Sequence, residues 1–247
     1  MTVRVAVLGA AGRMGRTVCS AIGEAEDLEL VAEVDQDGLA IDSIREAGAQ
    51  VAVDFTVAAS AMDNARWCAV NGVHAVIGTS GLGEADVAEL DRLFGGGEAN
   101  AVLAANFAIG AVLMMHFAAI AAPHFASAEI VEMHHDTKVD APSGTAIRTA
   151  EMMAAASPEW ATDPTVDTSV VPGARGGAGA GGIPIHALRV RGAVAHQAVV
   201  LGTTGQTLTI RHDTTDRTAF MPGVLLAVRQ VATRPGLTVG LEPLLGL

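Results

Sequence analysis

The 247-residue sequence contains no tyrosine, and aromatic residues make up 3% of it. A chain with so few rings offers little surface on which nucleobases could stack, so nucleic acid is not an expected partner. Basic residues are also scarce, because 15 Lys and Arg stand against 27 Asp and Glu, for a formal net charge of −12. Any positive surface that holds an anionic ligand must therefore be local.

Cysteines and long apolar runs are scarce as well. Cys19 and Cys68 have no metal-like spacing, and we expect both to be reduced thiols of a cytoplasmic protein. No apolar run is long and clean enough to span a bilayer, so no membrane partner is expected. The N-terminus enters a strand without the basic segment and cleavable apolar stretch of an export signal.

Short apolar runs alternate with helical patterns over residues 1–106. The predicted strands cover residues 3–8, 28–34, 51–54, 73–77 and 101–104, and the predicted helices cover 13–22, 60–71 and 84–94. Alternation at these lengths is typical of a parallel sheet with helices on both faces. The pattern predicts an α/β fold with a Rossmann-like, doubly wound parallel sheet.

The pattern changes after Asn106. An apolar helix and a strand are predicted first, then a glycine-rich loop, three more strands and a last helix, over residues 108–121, 129–133, 173–182, 185–191, 196–201, 207–212 and 220–232. Strands separated by glycine turns favour a mixed, mostly antiparallel sheet. We therefore predict a dinucleotide-binding domain over 1–106 and 214–247, with an α+β domain inserted over 107–213.

Gly9, Gly12 and Gly15 form a glycine turn between the first predicted strand and helix. Glycine lets the backbone approach a pyrophosphate, and a helix start attracts its negative charge. Asp35 follows Gly15 by 20 residues, at the end of the second strand, where an acid hydrogen-bonds the adenosine ribose. A glycine turn alone is weak evidence, but within a strand–helix–strand unit it predicts a dinucleotide site.

Asp35 also bears on the choice of cofactor. A carboxylate there favours the free hydroxyls of NADH over the phosphate of NADPH, whereas Arg13 or Arg16 could reach that phosphate from the first helix. Position 36, where a basic residue would bind the phosphate, is Gln36. We expect NADH to be used at least as well as NADPH, and dual use stays open.

Three further segments follow predicted strands. They are Asp54-Phe55-Thr56, Gly78-Thr79-Ser80-Gly81 and Ala104-Ala105-Asn106-Phe107. Open parallel sheets bind ligands at the carboxyl ends of their strands. Each segment alone could be an ordinary turn, but their shared position along one edge favours a nicotinamide half-site.

Residues 132–146 combine proton-transfer groups with anion-binding groups. His134, His135 and Lys138 lie within five positions. A helix-opening signal follows, in which Ser143 can cap a helix and leave the amides of Gly144 and Thr145 available to a carboxylate or phosphate. Residue types alone leave an alternative open: the histidine pair could be structural, and the helix cap could bind no ligand.

The motifs together resemble the dihydrodipicolinate reductase family over essentially the full chain. The resemblance runs through residues 7–15, 78–81 and 104–107 to the segment 132–145, which is highly specific to that family. The tail, with Arg211-His-Asp, Asp216-Arg and Pro222-Gly-Val, resembles the actinobacterial branch.

The resemblance implies a homotetramer of two-domain subunits that close over cofactor and substrate. It implies reduction of the small dicarboxylate 4-hydroxy-tetrahydrodipicolinate, with loss of water, by NADH or NADPH. His134 then matches the proton donor and Lys138 the second catalytic residue. The resemblance matches the expected substrate contacts with His135, Lys138, Gly144 and Thr145, and the predicted helix start adds Ser143. It matches the expected cofactor contacts with Gly9, Ala10, Ala11, Gly12, Arg13, Met14, Asp35, Gly78, Thr79, Ser80, Ala104, Ala105, Asn106 and Phe107, and the predicted strand end adds Phe55 and Thr56.

Three other functions compete with this interpretation. A zinc hydrolase could use His134, His135 and Asp136, but consecutive residues of a strand point to opposite sides and no spaced ligand set is present. A non-catalytic nucleotide sensor would have no need of His134 and Lys138. A dehydrogenase of another small dicarboxylate is the nearest alternative. Arg148, Arg175, His186 and His196 are left without an assigned role.

Overall fold

The computed structural model describes residues 2–35, 41–157, 159–160 and 170–247. Gln36, which bears on cofactor choice, lies outside the described residues. The chain divides into two compact units, Met1–Ile109 with Arg217–Leu247, and Gly110–Asp216. We refer to them as the first and the second unit.

The described residues form strands and helices that alternate along most of the chain. The strands are β1 (Val3–Leu8), β2 (Leu28–Val34), β3 (Val51–Asp54), β4 (His74–Ile77), β5 (Ala101–Leu103), β6 (Ser127–His134), β7 (Gly177–Ala178), β8 (Pro184–Arg189), β9 (Ala195–Thr203), β10 (Gln206–Thr214) and β11 (Leu237–Val239). The α-helices are α1 (Arg13–Glu24), α2 (Ser43–Glu46), α3 (Ala58–Asn71), α4 (Glu84–Phe94), α5 (Ile109–Ala121), α6 (Gly144–Ala156), α7 (Met221–Gln230) and α8 (Glu242–Leu245). Short 3-10 helices cover Ala122–His124, Ala180–Gly182, Arg217–Phe220 and Val231–Thr233.

The first unit is built on a parallel sheet of six described strands in the order β11-β5-β4-β3-β1-β2. Its central strands are apolar on both faces, and all four residues of β3 are buried. A strand buried on both sides needs helices above and below the sheet, which is why strands and helices alternate along this part of the chain. The carboxyl ends of β1, β3, β4 and β5 therefore lie along one edge.

The second unit contains a mixed sheet of five described strands in the order β10-β9-β6-β8-β7. Only the β6–β8 pair is parallel among these described pairings. One face of this sheet is apolar, with Ile130, Val199 and Leu201, and packs on helical residues such as Ala150 and Met153 of α6. The side chains of β6 alternate between this buried face and the opposite one, so Ile130, Glu132 and His134 share the face toward α6.

The predicted fold class is confirmed, and the observed elements begin and end within two residues of the predicted bounds. The glycine-rich loop is a correction, because residues 173–182 include β7, which pairs with β8. The short elements β11, α2 and α8 were not predicted, since three or four residues carry too little periodicity. No helix in the described part of the chain is long and apolar enough to cross a bilayer.

Candidate active site

The glycine turn after β1 is shaped by close backbone contacts. Gly9 has a φ of +78°, a conformation that favours glycine. A Cβ on Gly15 would lie 2.0 Å from the Gly9 carbonyl oxygen, so the start of α1 packs directly on the turn. Asp35 follows β2, and its Oδ2 accepts a hydrogen bond of 2.8 Å from the Ala11 amide. The carboxylate is thus fixed beside the turn.

A cleft of about 460 Å³ opens over this turn. Its size falls within the usual range of small-molecule sites, roughly 300–1,000 Å³. Among the predicted cofactor residues, those that line the cleft are Gly9, Ala11, Gly12, Asp35, Phe55 and Thr56. Ala10 is buried in the turn, and Arg13 and Met14 form the first turn of α1. Because the first amides of a helix have no partner within it, the start of α1 can bind a phosphate.

Asp54, the last residue of β3, organises the neighbouring strand ends. Its carboxylate is 3% exposed and accepts hydrogen bonds from the Thr56 amide and hydroxyl, from Asn64 Nδ2 and from the Thr79 hydroxyl, at 2.7 to 3.0 Å. A buried carboxylate is tolerated only when such donors surround it. Asp54 therefore ties the segment after β3 to the segment after β4.

Phe55 links the same edge to the segment after β5. Its ring lies 5.8 Å from that of Phe107, and a Cβ on Gly78 would lie 2.2 Å from a carbon of the Phe55 ring. Asn106 Oδ1 accepts the Ala108 amide and so shapes the turn into α5. Thr79 and Ala104 are buried, whereas Ser80 and Ala105 are exposed. The structure thus brings the three predicted strand-end segments of the first unit together.

His134 ends β6 in the second unit and contacts a buried carboxylate. Its Nδ1 lies 2.6 Å from Glu132 Oε2. Glu132 has no exposed surface and forms a bidentate pair with Arg189, at 2.9 and 3.0 Å. The Ser143 amide also donates to Glu132 Oε1, at 3.1 Å. Four hydrogen bonds therefore surround this one carboxylate.

Ser143 caps α6, as the sequence predicts. Its Oγ accepts the Ala146 amide at 3.3 Å, and the helix begins at Gly144. The first residues of the helix, Gly144 and Thr145, follow the cap directly, where backbone amides point toward the helix N-terminus. The positive end of the helix dipole lies at the same place, so this turn can receive a carboxylate.

His135 and Lys138 lie in the turn after β6. The Lys138 amide donates to the His135 carbonyl, and His135 Nδ1 lies 2.7 Å from the Thr137 hydroxyl. The Lys138 ammonium donates to both carboxylate oxygens of Asp140. A substrate carboxylate at Lys138 would therefore either share the ammonium with Asp140 or displace the Asp140 carboxylate from it.

The charges around His134 act on its pKa in opposite directions. Burial lowers the pKa of His134 below 6.5, while the Glu132 carboxylate raises it and the positive charges of Lys138 and Arg189 lower it further. Burial raises the pKa of Glu132, but the hydrogen bonds from Arg189, His134 and the Ser143 amide outweigh it, so the net shift is downward. Glu132 is therefore ionised near neutral pH.

The basic residues without an assigned role are paired elsewhere. Arg175 and His186 both contact Glu129, at 2.7 and 2.8 Å. Glu129 precedes Glu132 by three positions on β6, so it faces the opposite side of the sheet. His196 contacts Asp213, and Arg148 contacts Glu151. These contacts do not bring any of them to His134.

Metal ligation was the basis of one competing interpretation. Among the described residues, no group of three or more His, Cys, Asp or Glu side chains is arranged to hold a metal ion. His134 instead contacts Glu132 and His135 contacts Thr137, as expected when consecutive residues point apart.

Three residues that shape the site had no role assigned from the sequence, although Asp54 lies in a segment that the sequence predicts for the nicotinamide half-site. Glu132 lies within the key segment, and its signal was a charged residue on the buried face of a strand. Asp54 ends a fully apolar strand, which is a similar signal. Arg189 had no signal in the sequence. It lies 57 positions from Glu132, and the two residues meet only because β6 and β8 pair in parallel in this register.

Comparisons with known proteins cover the whole chain. Residues 3–107 match the family model described as dihydrodipicolinate reductase, N-terminus, and residues 110–245 match dihydrodipicolinate reductase, C-terminus. A relative from Mycobacterium ulcerans named 4-hydroxy-tetrahydrodipicolinate reductase is 52% identical, over 99% of this chain and 100% of its own length. A protein of the same name from Streptomyces coelicolor is 51% identical, over 99% of this chain and 98% of its own.

A solved structure is similar over nearly the same length. It is a dipicolinate-bound dihydrodipicolinate reductase from Paenisporosarcina sp. TG-14, with a TM-score of 0.90 and 37% identity. The alignment covers 98% of this chain and 99% of that one. Both units therefore have counterparts in one related protein.

Proposed function

The chain belongs to the dihydrodipicolinate reductase family, and we propose that it reduces 4-hydroxy-tetrahydrodipicolinate, with loss of water, to tetrahydrodipicolinate using NADH or NADPH. The observation that carries the proposal is the second-unit site, in which the Glu132 carboxylate contacts both the His134 ring and the amide of Ser143, the residue that caps α6. That arrangement supports the proposal, because an imidazole can transfer a proton and a helix start can bind a carboxylate, and reductases match the chain along its full length.

The first unit binds the dinucleotide. The residues of its cleft fit such a ligand, because the glycine turn can approach a pyrophosphate and the positive end of the α1 dipole lies beside it. The segments after β3, β4 and β5 surround the nicotinamide, and Asp54 holds two of them in place. The bound cofactor supplies a hydride to C4 of the conjugated imine that forms when water is lost.

Asp35 sets the cofactor preference. Its carboxylate is anchored on the Ala11 amide and can accept from free ribose hydroxyls, whereas a phosphate there would meet like charge. NADH is therefore used at least as well as NADPH. Arg13 and Arg16 lie on α1, near enough in sequence to the turn to support dual use.

The second unit binds the substrate. Lys138 and the amides of Gly144 and Thr145 bind its carboxylates, and His135 adds a hydrogen bond. Ser143, which the sequence predicts as a further contact, instead donates its amide to Glu132 and caps α6 with its hydroxyl. The related structure from Paenisporosarcina sp. TG-14 carries dipicolinate, a small dicarboxylate of the same kind. Charge-assisted hydrogen bonds of this type are roughly twice as strong as neutral ones, which suits a dianion held by an acidic protein.

His134 donates the proton that completes the reduction. After hydride addition at C4, the neighbouring carbon carries electron density that one proton must neutralise. In the free protein burial keeps the pKa of His134 below 6.5, so the imidazole is mostly neutral at pH 7. Two substrate carboxylates nearby favour the imidazolium, so substrate binding itself charges the proton donor. Such general acid catalysis contributes roughly a hundred- to ten-thousand-fold in rate.

The chain also forms a homotetramer, and it acts in the cytoplasm, where both cysteines stay free thiols. Support for the tetramer comes from the face of the second sheet opposite α6. This face carries Val131, Met133, Ala198 and Val200, which are partly exposed, and Leu188, which is 44% exposed. Light scattering after gel filtration tests it, because a mass of one chain would contradict the assembly.

Nicotinamide oxidation tests the activity. The substrate is generated in situ by its synthase. NADH and NADPH are supplied in parallel, and reactions without the synthase serve as the control. We expect oxidation only when the synthase and this protein are both present. Oxidation of neither cofactor under these conditions would exclude the proposed function.

A further inference from the structure

The Glu132 carboxylate has all of its strong acceptor positions filled. Oε2 accepts from His134 Nδ1 and from Arg189 Nη1, and Oε1 accepts from Arg189 Nη2 and from the Ser143 amide. An ionised carboxylate offers about four such positions. The side chain has no exposed surface, so neither substrate nor water competes for it directly.

This pairing settles which nitrogen of His134 carries a proton. Arg189 provides the counter-charge that keeps a fully buried Glu132 ionised, because an unpaired charge in that position would be costly. An ionised carboxylate can only accept, so the contact at 2.6 Å requires a proton on His134 Nδ1. The exchangeable proton of the imidazolium is then the one on Nε2.

The Glu132 carboxylate also fixes the position of the His134 ring. Glu132 accepts from the amide of Ser143, the residue that caps α6, while its other oxygen holds the imidazole. His134 and the first turn of α6 are therefore both tied to one group. A proton donor and a carboxylate-binding turn held in fixed relation keep a bound dicarboxylate in a reactive orientation.

We propose that Glu132 is a positioning residue for the reduction: it holds the His134 ring with Nε2 available to the substrate and fixes that ring to the start of α6, while Arg189 keeps Glu132 charged. This inference rests on the proposed function, because it concerns the role of His134 as proton donor. A purely structural ion pair would stabilise the second unit without controlling the proton on His134.

The tautomer of His134 is the direct test, and it needs no turnover. Protein labelled with nitrogen-15 in histidine is titrated, and the His134 signals are assigned by their loss in His134→Gln. Long-range proton–nitrogen correlation spectra distinguish Nδ1–H from Nε2–H in the neutral ring. We expect the proton on Nδ1. A neutral His134 that carries its proton on Nε2 would overturn the proposal.

Glu132→Gln tests the catalytic consequence. The carboxamide keeps the shape and removes the charge that stabilises the imidazolium. We expect kcat to fall about 10- to 100-fold, by analogy with the loss of a hydrogen-bond partner that orients a metal-bound histidine. The decline of kcat with rising pH should move to lower pH, while the KM for the nucleotide stays unchanged. Glu132→Asp keeps the charge and should restore part of the pH profile.

Asp27→Asn is the matched control. Asp27 forms a bidentate pair with Arg229 at 2.7 and 2.8 Å, in the first unit. Its loss removes an arginine–carboxylate pair without a histidine, so kcat and its pH profile should stay at wild-type values. A Glu132→Gln protein with wild-type kcat and an unchanged pH profile would contradict the positioning role.

The failures of the two proposals are distinguishable. If the wild-type protein does not reduce the substrate, the proposed function fails, and the nitrogen-15 spectra still decide whether Glu132 sets the tautomer. If the wild type is active and Glu132→Gln behaves as Asp27→Asn does, only the positioning role fails. If Glu132→Gln does not fold, as thermal melting would reveal, the wild-type spectra remain the deciding measurement.

Discussion

The Lys138 ammonium forms a bidentate ion pair with Asp140, with Nζ 2.7 and 2.8 Å from the two carboxylate oxygens. The Asp140 side chain is 61% exposed, so the pair is weak although its geometry is good. Arg189 contacts the carbonyl oxygen of Asp140 at 2.6 Å, which holds the backbone of this turn near the Glu132 cluster. Asp140 thus occupies the cation that we propose for substrate binding.

Removing the competing carboxylate of Asp140 should strengthen substrate binding. Exposed pairs contribute about 0.2–1 kcal/mol, so Asp140→Asn should lower the substrate KM by up to roughly fivefold. Lys138→Ala, which removes the cation itself, should raise the KM and lower kcat. Initial rates at saturating nucleotide measure both. A higher KM in Asp140→Asn would show that Asp140 assists substrate binding.

His134→Gln should lower turnover without weakening the binding of the cofactor. Loss of a general acid costs roughly a hundred- to ten-thousand-fold in kcat. The nucleotide cleft belongs to the first unit and contains no second-unit residue among those that line it. Fluorescence titration of NADH should therefore give the wild-type Kd. Wild-type turnover in this variant would exclude His134 as the proton donor.

The pH dependence follows from the lowered pKa of His134. Burial favours the neutral ring, so in the free protein the imidazolium is present at low pH and is lost as pH rises through a value below 6.5. Since kcat/KM reports the free enzyme, it should fall over that range. The substrate dianion raises the pKa in the complex, so kcat should persist to higher pH. Coincident profiles for the two parameters would contradict substrate-induced protonation.

Asp54→Asn should loosen the nicotinamide side of the first unit. The amide cannot accept from all the groups that surround the carboxylate, and an unsatisfied buried donor costs about 1–3 kcal/mol. We expect a lower melting temperature and weaker NADH binding. Asp63→Asn, at an exposed residue paired with Arg66, is the control. Equal nucleotide affinity in both variants would show that Asp54 does not organise the cofactor site.

Asp35→Asn should change the cofactor preference. Removing the negative charge relieves repulsion of the NADPH phosphate, and about 1 kcal/mol corresponds to roughly a fivefold change. The ratio of kcat/KM for NADPH to that for NADH should rise at least by this factor. The asparagine can still accept from the Ala11 amide, so the turn should keep its shape. An unchanged ratio would mean that Asp35 does not discriminate.

The local features of the fold and the candidate site could be predicted from the sequence. The glycine turn depends on three glycines and one strand end, and the Ser143 cap depends on four consecutive residues. Both are properties of short segments, and the structure has them where the pattern indicates. The alternation of apolar residues also places β6 within two residues of its bounds.

Contacts between distant segments could not be predicted. Arg189 reaches Glu132 only because β8 pairs with β6 in one particular parallel register, and a shift of one residue would turn Arg189 to the opposite face. Asp54 likewise acquires its donors from α3 and from the segment after β4. The candidate reacting residues and Glu132 are close together in the sequence, whereas Arg189, which pairs with Glu132, comes from another strand of the fold.

We propose that this protein transfers a hydride to C4 of the dehydrated substrate. The most direct measurement uses NADH with deuterium at both C4 positions of the nicotinamide, together with substrate generated in situ by the synthase. Mass spectrometry and NMR of the product should show tetrahydrodipicolinate with one deuterium at C4 and no hydroxyl group. A product that retains the hydroxyl, or that carries no deuterium while NADH is consumed, would contradict the proposed reaction.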